Sequence, residues 1–129
     1  MPLTAADLSG KRRHKYGAKP VTVDGIRFHS TKEASRYREL KLLVHAGSIR
    51  ALELQPKFAL RAPRHDYNCA SRIVGEYRGD FRYEELTEAG WRWAVVVEDV
   101  KGMDTPLSKW KRRHVHAQYG VTVQIVKSR

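Results

Sequence analysis

The chain has 129 residues, of which 41% are hydrophobic and 30% charged, a composition typical of one globular domain. Lysine and arginine total 25 against 14 acidic residues, and the net charge of +11 favours a polyanion such as DNA as partner, although solubility alone also uses such charge. No apolar run is long enough to cross a membrane, and the single cysteine, Cys69, excludes an internal disulfide, so a reducing cytoplasmic setting is expected.

Residues 1–20 are predicted to form a flexible basic arm, and residues 21–129 a single domain. The arm is expected to contact DNA through Lys11, Arg12, Arg13 and Lys15. Residues 21–28 then alternate apolar and polar side chains on either side of Asp24 and Gly25, which predicts a short hairpin.

A first helix is predicted over about residues 31–46. Ser30 stands at the position of a helix N-cap, and Gly47 is typical of a helix end. Four side chains at helical spacing are expected to face the core, namely Ala34, Tyr37, Leu40 and Val44.

Three strands should follow, over about 49–61, 73–84 and 91–101. Pro56 interrupts the first of them, which indicates an edge position or a bulge. The turn 85–90 is short enough for the second and third strands to pair as an antiparallel hairpin.

A second helix is predicted to begin with Thr105 as N-cap and Pro106 at its first position, and to end at Gly120. Its expected inner face consists of Leu107, Trp110, His114 and Ala117. A final strand covers 121–126, so the order of elements predicts an α+β or α/β fold with one mixed central sheet flanked by helices. The tryptophans Trp91, Trp93 and Trp110 are expected in the core rather than as platforms for stacking bases.

The acidic residues concentrate in one stretch of this basic chain, between positions 76 and 104. Within it, the valine-rich run 95–101 is typical of a buried strand, yet it ends in Asp99 and Lys101. Side chains alternate along a strand, so these two share a face and Glu98 points the opposite way. Asp80, on the neighbouring strand, could lie near Asp99, but the register is not fixed by the sequence.

Two carboxylates that lie close together repel each other unless a cation lies between them, and oxygen ligands suit Mg²⁺ or Mn²⁺. Zinc is not expected, because the histidines are scattered and there is no cysteine pair. Structural alternatives stay open: Asp99 and Lys101 as a surface ion pair, and Asp80 as a polar hairpin residue. Glu33 fits a capping box with Ser30 as well as it fits a metal role.

The second helix carries a run of basic side chains, and no acidic residue follows Asp104. A solvated face is the ordinary explanation of such a run, but the absence of acids favours contact with phosphates. The residues predicted to bind DNA here are Lys109, Lys111, Arg112 and Arg113.

The order of Glu33, Asp80, Asp99 and Lys101 resembles the PD-(D/E)xK nuclease superfamily. The chain resembles more closely a small phage-encoded branch of it, catalogued as a domain of unknown function, and is also similar to the phage endonuclease I group of junction resolvases. The similarity covers about positions 15–126, and the segments that carry it are Lys15-Tyr-Gly, Val23-Asp-Gly-Ile-Arg-Phe-His-Ser, Lys32-Glu-Ala-Ser-Arg-Tyr, Leu54-Gln-Pro-Lys-Phe, Asp80-Phe-Arg-Tyr and Val97-Glu-Asp-Val-Lys-Gly. Gly79 replaces the proline of the superfamily pattern, and Asp99 replaces its more usual glutamate.

The resemblance implies a restriction-endonuclease-like core in which Glu33, Asp80 and Asp99 hold Mg²⁺ or Mn²⁺ and Lys101 is the catalytic lysine. It also implies a metal-dependent DNA endonuclease that acts on branched DNA such as a Holliday junction, as a homodimer, in a bacterial host that carries a phage or prophage. The alternatives are a nucleic-acid-binding accessory protein without catalysis and a protein that inhibits a host enzyme. A pure binder gains nothing from carboxylates placed beside phosphate, and an intact acidic set argues against the inhibitor.

Overall fold

The computed structural model describes residues 20–65 and 70–127, which hold two helices and eight strands. This mixed content confirms the predicted α+β class. The helices are α1 (Thr31–His45) and α2 (Pro106–Tyr119), and the strands are β1 (Val21–Val23), β2 (Ile26–Phe28), β3 (Ile49–Leu54), β4 (Lys57–Pro63), β5 (Ser71–Arg78), β6 (Phe81–Leu86), β7 (Trp93–Lys101) and β8 (Val123–Lys127). Neither of these helices is long and apolar enough to cross a membrane.

The chain divides into two compact units, and the boundary falls after Arg36, within α1. The described part of the first unit contains the antiparallel hairpin β1–β2 and the first residues of α1. Asp24 and Gly25 both adopt positive φ, at 52° and 75°, as a two-residue type I′ turn requires, and this confirms the predicted hairpin. The single domain over 21–129 stays a prediction, and the predicted arm lies outside the described residues apart from Pro20.

Helix α1 buries the stripe that its sequence predicted. Ala34, Tyr37 and Leu40 are buried and Val44 is half-buried. Gly47 follows the helix with a φ of 76°, and its amide donates to the Val44 carbonyl at 3.1 Å, so the left-handed turn after α1 is of the kind that glycine favours.

In the second unit, four strands form one mixed sheet in the order β3-β6-β7-β8. β3, β6 and β7 pair antiparallel, and β8 lies parallel to β7 after the crossover through α2. β4 and β5 form a separate antiparallel pair. The prediction of one mixed sheet was therefore correct for its four-stranded centre and wrong for β4 and β5.

The departure from the predicted sheet has a local cause. Leu54 on β3 pairs with Phe81 on β6, and Lys57 on β4 pairs with Arg78 on β5. The segment that forms β3 and β4 therefore stays paired with the segment that forms β5 and β6 on both sides of a bend. At the bend, Gln55 adopts a left-handed φ of 50°, and Pro56 stands where the sequence indicated an edge or a bulge. Each of the two long predicted strands thus becomes two strands, one in each sheet.

The core of the second unit joins β4, β5, β7 and α2. Its buried side chains are Phe58, Leu60, Tyr77, Val97 and Val115, with Val121 and Val123 packed against them. The ring of Tyr119 meets Phe58 edge-on at a centroid distance of 5.4 Å, so the end of α2 is fixed onto β4.

The predicted ends of α2 are confirmed: the Ser108 amide donates to Thr105 Oγ1 at 3.1 Å, and Gly120 is left-handed. The predicted inner face is wrong. Leu107 is 59% exposed and Trp110 66% exposed, whereas the buried residues of this helix are Ser108 and Val115. Polar Ser108 can turn inward because it has hydrogen-bond partners there, and hydrophobic spacing does not reveal such partners.

Candidate active site on the β6–β7 hairpin

Asp80 stands immediately before β6, where the chain leaves the bend. Its amide donates to the Glu98 carbonyl at 2.9 Å, and its Oδ2 accepts the Val100 amide at 2.7 Å. Because Phe81 pairs with Glu98, these bonds extend the antiparallel register and place Asp80 beside Asp99. The sequence could not fix the register between Asp80 and Asp99. The structure places these two carboxylates next to each other at the end of the β6–β7 hairpin.

The chain before Asp80 is held by close backbone packing. The Gln55 amide donates to the Asp80 carbonyl at 2.9 Å, and the Gly79 amide donates to the Pro56 carbonyl at 3.0 Å. A Cβ on Gly79 would lie 3.0 Å from Val97 Cγ1 and 3.4 Å from the Glu98 carbonyl, so a larger residue would require these neighbours to shift by a few tenths of an ångström. This tight contact favours glycine before Asp80. The bond from the Gln55 amide to the Asp80 carbonyl helps to position Asp80, which the sequence did not reveal.

Asp99 lies near the end of β7 and is buried. Its Oδ2 accepts a short hydrogen bond from the Tyr77 hydroxyl and lies 3.2 Å from Lys101 Nζ. Burial and the hydrogen bond to Asp99 raise the pKa of the Tyr77 hydroxyl far above its usual value, so Tyr77 stays a neutral donor. Both contacts use Oδ2, which leaves Oδ1 outside them.

Lys101 shares the face of Asp99, as the alternation of β7 predicted. Its Nζ also donates to Ser108 Oγ at 2.5 Å. The same hydroxyl oxygen accepts Arg112 at 2.8 Å, and two lone pairs allow both bonds. The ammonium of Lys101 is thus held between a carboxylate on its own strand and a hydroxyl on α2.

Arg112 closes this network by a bidentate ion pair with Asp104, with N–O distances of 2.8 and 2.6 Å. The hydrogen bond to Arg112 lowers the pKa of the Asp104 carboxyl, and the same bond raises the pKa of Arg112. We name the connected side chains the hairpin network: Tyr77, Asp99, Lys101, Ser108, Arg112 and Asp104. The sequence did not indicate Tyr77, Ser108 or Asp104, because their bonds to Asp99, Lys101 and Arg112 depend on the packing of the fold and leave no periodic signal.

The sequence also singled out two further acidic residues, Glu98 and Glu33. Glu98 is 1% exposed and pairs with Phe81 on one side and Gln124 on the other, which agrees with its predicted direction away from Asp99. Glu33 belongs to the first unit, where its amide donates to Ser30 Oγ at 3.2 Å. This bond is the N-cap half of the predicted capping box, and the metal role of Glu33 stays a prediction.

The donor chemistry of Asp80 and Asp99 fits a hard cation. Both supply carboxylate oxygens, which Mg²⁺ and Mn²⁺ prefer, and Asp99 Oδ1 takes no part in the contacts with Tyr77 and Lys101. In residues 20–65 and 70–127, no three side chains of histidine, cysteine, aspartate or glutamate form a group able to hold a metal ion. Asp80 and Asp99 are the residues of this hairpin whose chemistry suits such an ion, and its binding stays a prediction.

A hollow of about 220 Å³ opens beside Lys101, and Arg78 and Lys111 also line it. Three cationic side chains outnumber the one acidic residue that lines the same hollow, Glu76, and make it a suitable place for a phosphate group. Of the basic residues predicted on α2, Lys109 and Arg113 are exposed, whereas Lys111 Nζ donates to the Glu76 carbonyl at 2.9 Å and Arg112 is paired with Asp104. The predicted contacts of Lys11, Arg12, Arg13 and Lys15 lie outside the described residues.

Comparison with known proteins gives one family. The model of the family described as "Protein of unknown function (DUF1064)" matches residues 13–128, nearly the whole chain. No curated protein and no solved structure matches the chain.

Proposed function

Because the chain belongs to the DUF1064 family, whose description assigns no activity, we propose from the site itself that it is a Mg²⁺- or Mn²⁺-dependent DNA endonuclease. One observation carries the proposal: Asp80 and Asp99 lie side by side, with Lys101 Nζ 3.2 Å from the Asp99 carboxylate, at the end of the β6–β7 hairpin. Two carboxylates and an amine held this close are the groups that metal-assisted phosphodiester hydrolysis needs.

The side chains have separate tasks in this proposal. Asp80 and Asp99 would hold the cation, which when bound polarises the scissile phosphate and makes an attacking hydroxide available near neutral pH. Tyr77 fixes Asp99, and the Val100 amide fixes Asp80, so neither carboxylate has to reorganise. Lys101 would donate to the phosphate oxygen that gains negative charge, from the hollow that Arg78 and Lys111 also line.

The proposed substrate is DNA, and its finer class comes from the resemblance to junction resolvases. We propose branched DNA, such as a Holliday junction, cut by a homodimer, because two opposed cuts need two sites. A role in phage recombination or replication inside the bacterial cytoplasm belongs to the same proposal. The net charge of +11 and the exposed Lys109 and Arg113 supply the attraction for a phosphate backbone.

The test incubates the purified protein with linear, flapped and four-way DNA, in Mg²⁺, in Mn²⁺ and in EDTA. Asp80→Asn keeps an oxygen that can accept the Val100 amide, so the variant should fold. Asp80→Asn and Lys101→Ala should each reduce cutting by about 100-fold or more while binding persists. The matched control is Glu88→Gln in the exposed turn between β6 and β7, which should cut normally.

Two results would contradict the proposal. Normal cutting by both Asp80→Asn and Lys101→Ala would remove the site assignment. A protein that binds all three DNAs but cuts none in either metal would favour the second candidate function, a nucleic-acid-binding accessory protein. That candidate has its own observation, because Tyr77 and Lys101 already contact Asp99, as in a purely structural ion network.

A further inference from the structure

The outward face of α2 exposes large apolar side chains that folding leaves without cover. Trp110 is 66% exposed and Leu107 59%, and Val74 on the neighbouring strand β5 is also exposed. Exposed apolar groups that cluster on a soluble protein mark an interaction surface more often than single ones do. We call Leu107, Trp110 and Val74 the outer patch.

Two hollows meet at the indole of Trp110. The first, of about 260 Å³, is lined by Leu60, Val74, Gly75, Leu107, Trp110, Lys111 and His114. The second shares Trp110 and His114 with the first, and Arg113 and Ala117 complete its lining. His114 borders both hollows, and its Nε2 is fixed 2.8 Å from the Arg61 carbonyl oxygen. The indole lines both hollows and is largely exposed, so it offers an accessible aromatic surface.

The charge around this aromatic surface is positive. Lys109 and Arg113 flank Trp110 on the same helix and are exposed, and no acidic residue follows Asp104 in the chain. An aromatic ring among cations complements a partner that carries both flat apolar faces and negative charge. Unpaired stretches of DNA have this combination, because duplex DNA stacks its base faces against one another and hides them.

The outer patch also adjoins the proposed active site. The hollow beside Lys101 and the hollow at Trp110 share two lining residues, Leu107 and Lys111. A strand with one phosphate at Lys101 could therefore continue across Leu107 to the indole. The nearest nucleotides of that strand would have to be unpaired for a base to reach the ring.

We propose that Trp110 is a stacking platform for an unpaired base of a DNA strand whose backbone follows Lys111, Lys109 and Arg113. The inference rests on the proposed function for its substrate and deepens it: among branched DNAs, the one preferred carries a single-stranded stretch next to the cleaved bond, as flapped DNA does, over a fully paired four-way junction. A base stacked on an aromatic side chain contributes to binding whatever its sequence, so the site reads strandedness rather than sequence.

The experiment measures binding in EDTA, where no cleavage can occur. The probes are a fluorescein-labelled oligothymidylate of about 12 nucleotides, within the usual span of single-strand sites, an abasic strand with the same number of phosphates, and a duplex of equal length. The variants are Trp110→Ala and Trp110→Phe. The matched control is Trp91→Ala, because Trp91 is 73% exposed and also lies beside an arginine, 5.4 Å from Arg92.

Trp110→Ala should weaken oligothymidylate binding by about tenfold, and Trp110→Phe should restore most of the affinity. Binding of the abasic strand and of the duplex should stay within twofold for every variant, as should all binding by Trp91→Ala. The specific signature is a loss that depends on the bases and not on the phosphates.

Several outcomes would overturn the inference. These are unchanged oligothymidylate binding by Trp110→Ala, an equal loss for the abasic strand, or the same loss in Trp91→Ala. Sedimentation could instead show a homodimer that Trp110→Ala dissociates, together with DNA binding that does not depend on the bases. That result would assign the outer patch to contact with a second copy of the chain. Because cutting is assayed separately, absent cleavage with an intact base-dependent signal would remove the nuclease proposal and keep this one.

Discussion

The two faces of α2 use similar residues in opposite ways. The inner face places Ser108 and Arg112 in fixed bonds to Lys101 and Asp104, and it buries Val115 in the core. The outer face carries Trp110 and Arg113, both exposed. Arg112 and Arg113 are neighbours in sequence, yet only Arg112 is joined to the hairpin network.

This difference shows that residue type is a poor guide to role on this helix. Polar groups can turn inward where partners offset their loss of water, as they do at Ser108 and Arg112. Apolar side chains that stay exposed contribute little to the stability of the fold. A role in binding therefore explains the exposed Trp110 better than a role in packing does. Variants that separate stability from binding can therefore break or sharpen the comparison.

The largest difference in stability is expected between Val115→Ala and Leu107→Ala. Val115 is 0% exposed in the core with Val97, so truncation should lower the free energy of unfolding by about 2 kcal/mol, or roughly 30-fold in the equilibrium. Exposed Leu107 should change it by less than about 0.5 kcal/mol. Urea unfolding followed by circular dichroism measures both, and equal losses would mean that the outer patch is covered in solution.

The error in predicting α2 has the same physical origin. The spacing of Leu107, Trp110, His114 and Ala117 satisfies helical periodicity, but periodicity identifies an apolar stripe without saying whether a core faces it. The true inner stripe mixes valine with serine and arginine, whose partners Lys101 and Asp104 lie outside the helix. Only the fold reveals those partners.

The hairpin was more predictable, because its information is local. Alternation along β7 put Asp99 and Lys101 on one face and Glu98 on the other, and a short turn implied that β6 pairs with β7. The bend at Pro56 was indicated, but the change of sheet was not. The left-handed Gln55 and the tight approach of Gly79 to Val97 fix that change, and both depend on packing.

A smaller loss is expected when the hairpin network loses its shared hydroxyl. Ser108→Ala removes the acceptor for both Lys101 and Arg112, and leaving these charges short of a partner should cost about 1–2 kcal/mol of stability. Ser35→Ala, on an exposed part of α1, is the matched control and should be neutral. Thermal unfolding reports both, and a neutral Ser108→Ala would mean that water replaces the hydroxyl without loss.

The two neighbouring arginines should differ in how they affect the salt dependence of DNA binding. If Arg113 contacts a phosphate, Arg113→Gln should reduce the slope of log affinity against log salt by about 0.9. Arg112→Gln should leave the slope unchanged, because its guanidinium is occupied by Asp104. Fluorescence anisotropy of a duplex between low and moderate salt gives both slopes, and a reduced slope in Arg112→Gln would mean that DNA opens the ion pair.

The smallest expected effect is a change in the stability of the fold at low pH. Arg112 lowers the pKa of Asp104 in the folded protein, so this carboxylate stabilises the fold above its unfolded pKa of about 3.9, and the contribution is lost as pH falls through the lower folded value. The stability difference between the parent protein and Asp104→Asn should therefore be constant near neutral pH and shrink below about pH 4. Urea titrations at each pH give that difference, which cancels the titration of the other carboxylates. Arg112→Gln removes the ion-pair partner of Asp104 from the inner face of α2, so this variant should reproduce the pH-dependent loss of stability. A stability difference between the parent protein and Asp104→Asn that persists at low pH would mean that the Asp104 side chain acts through packing rather than through its charge.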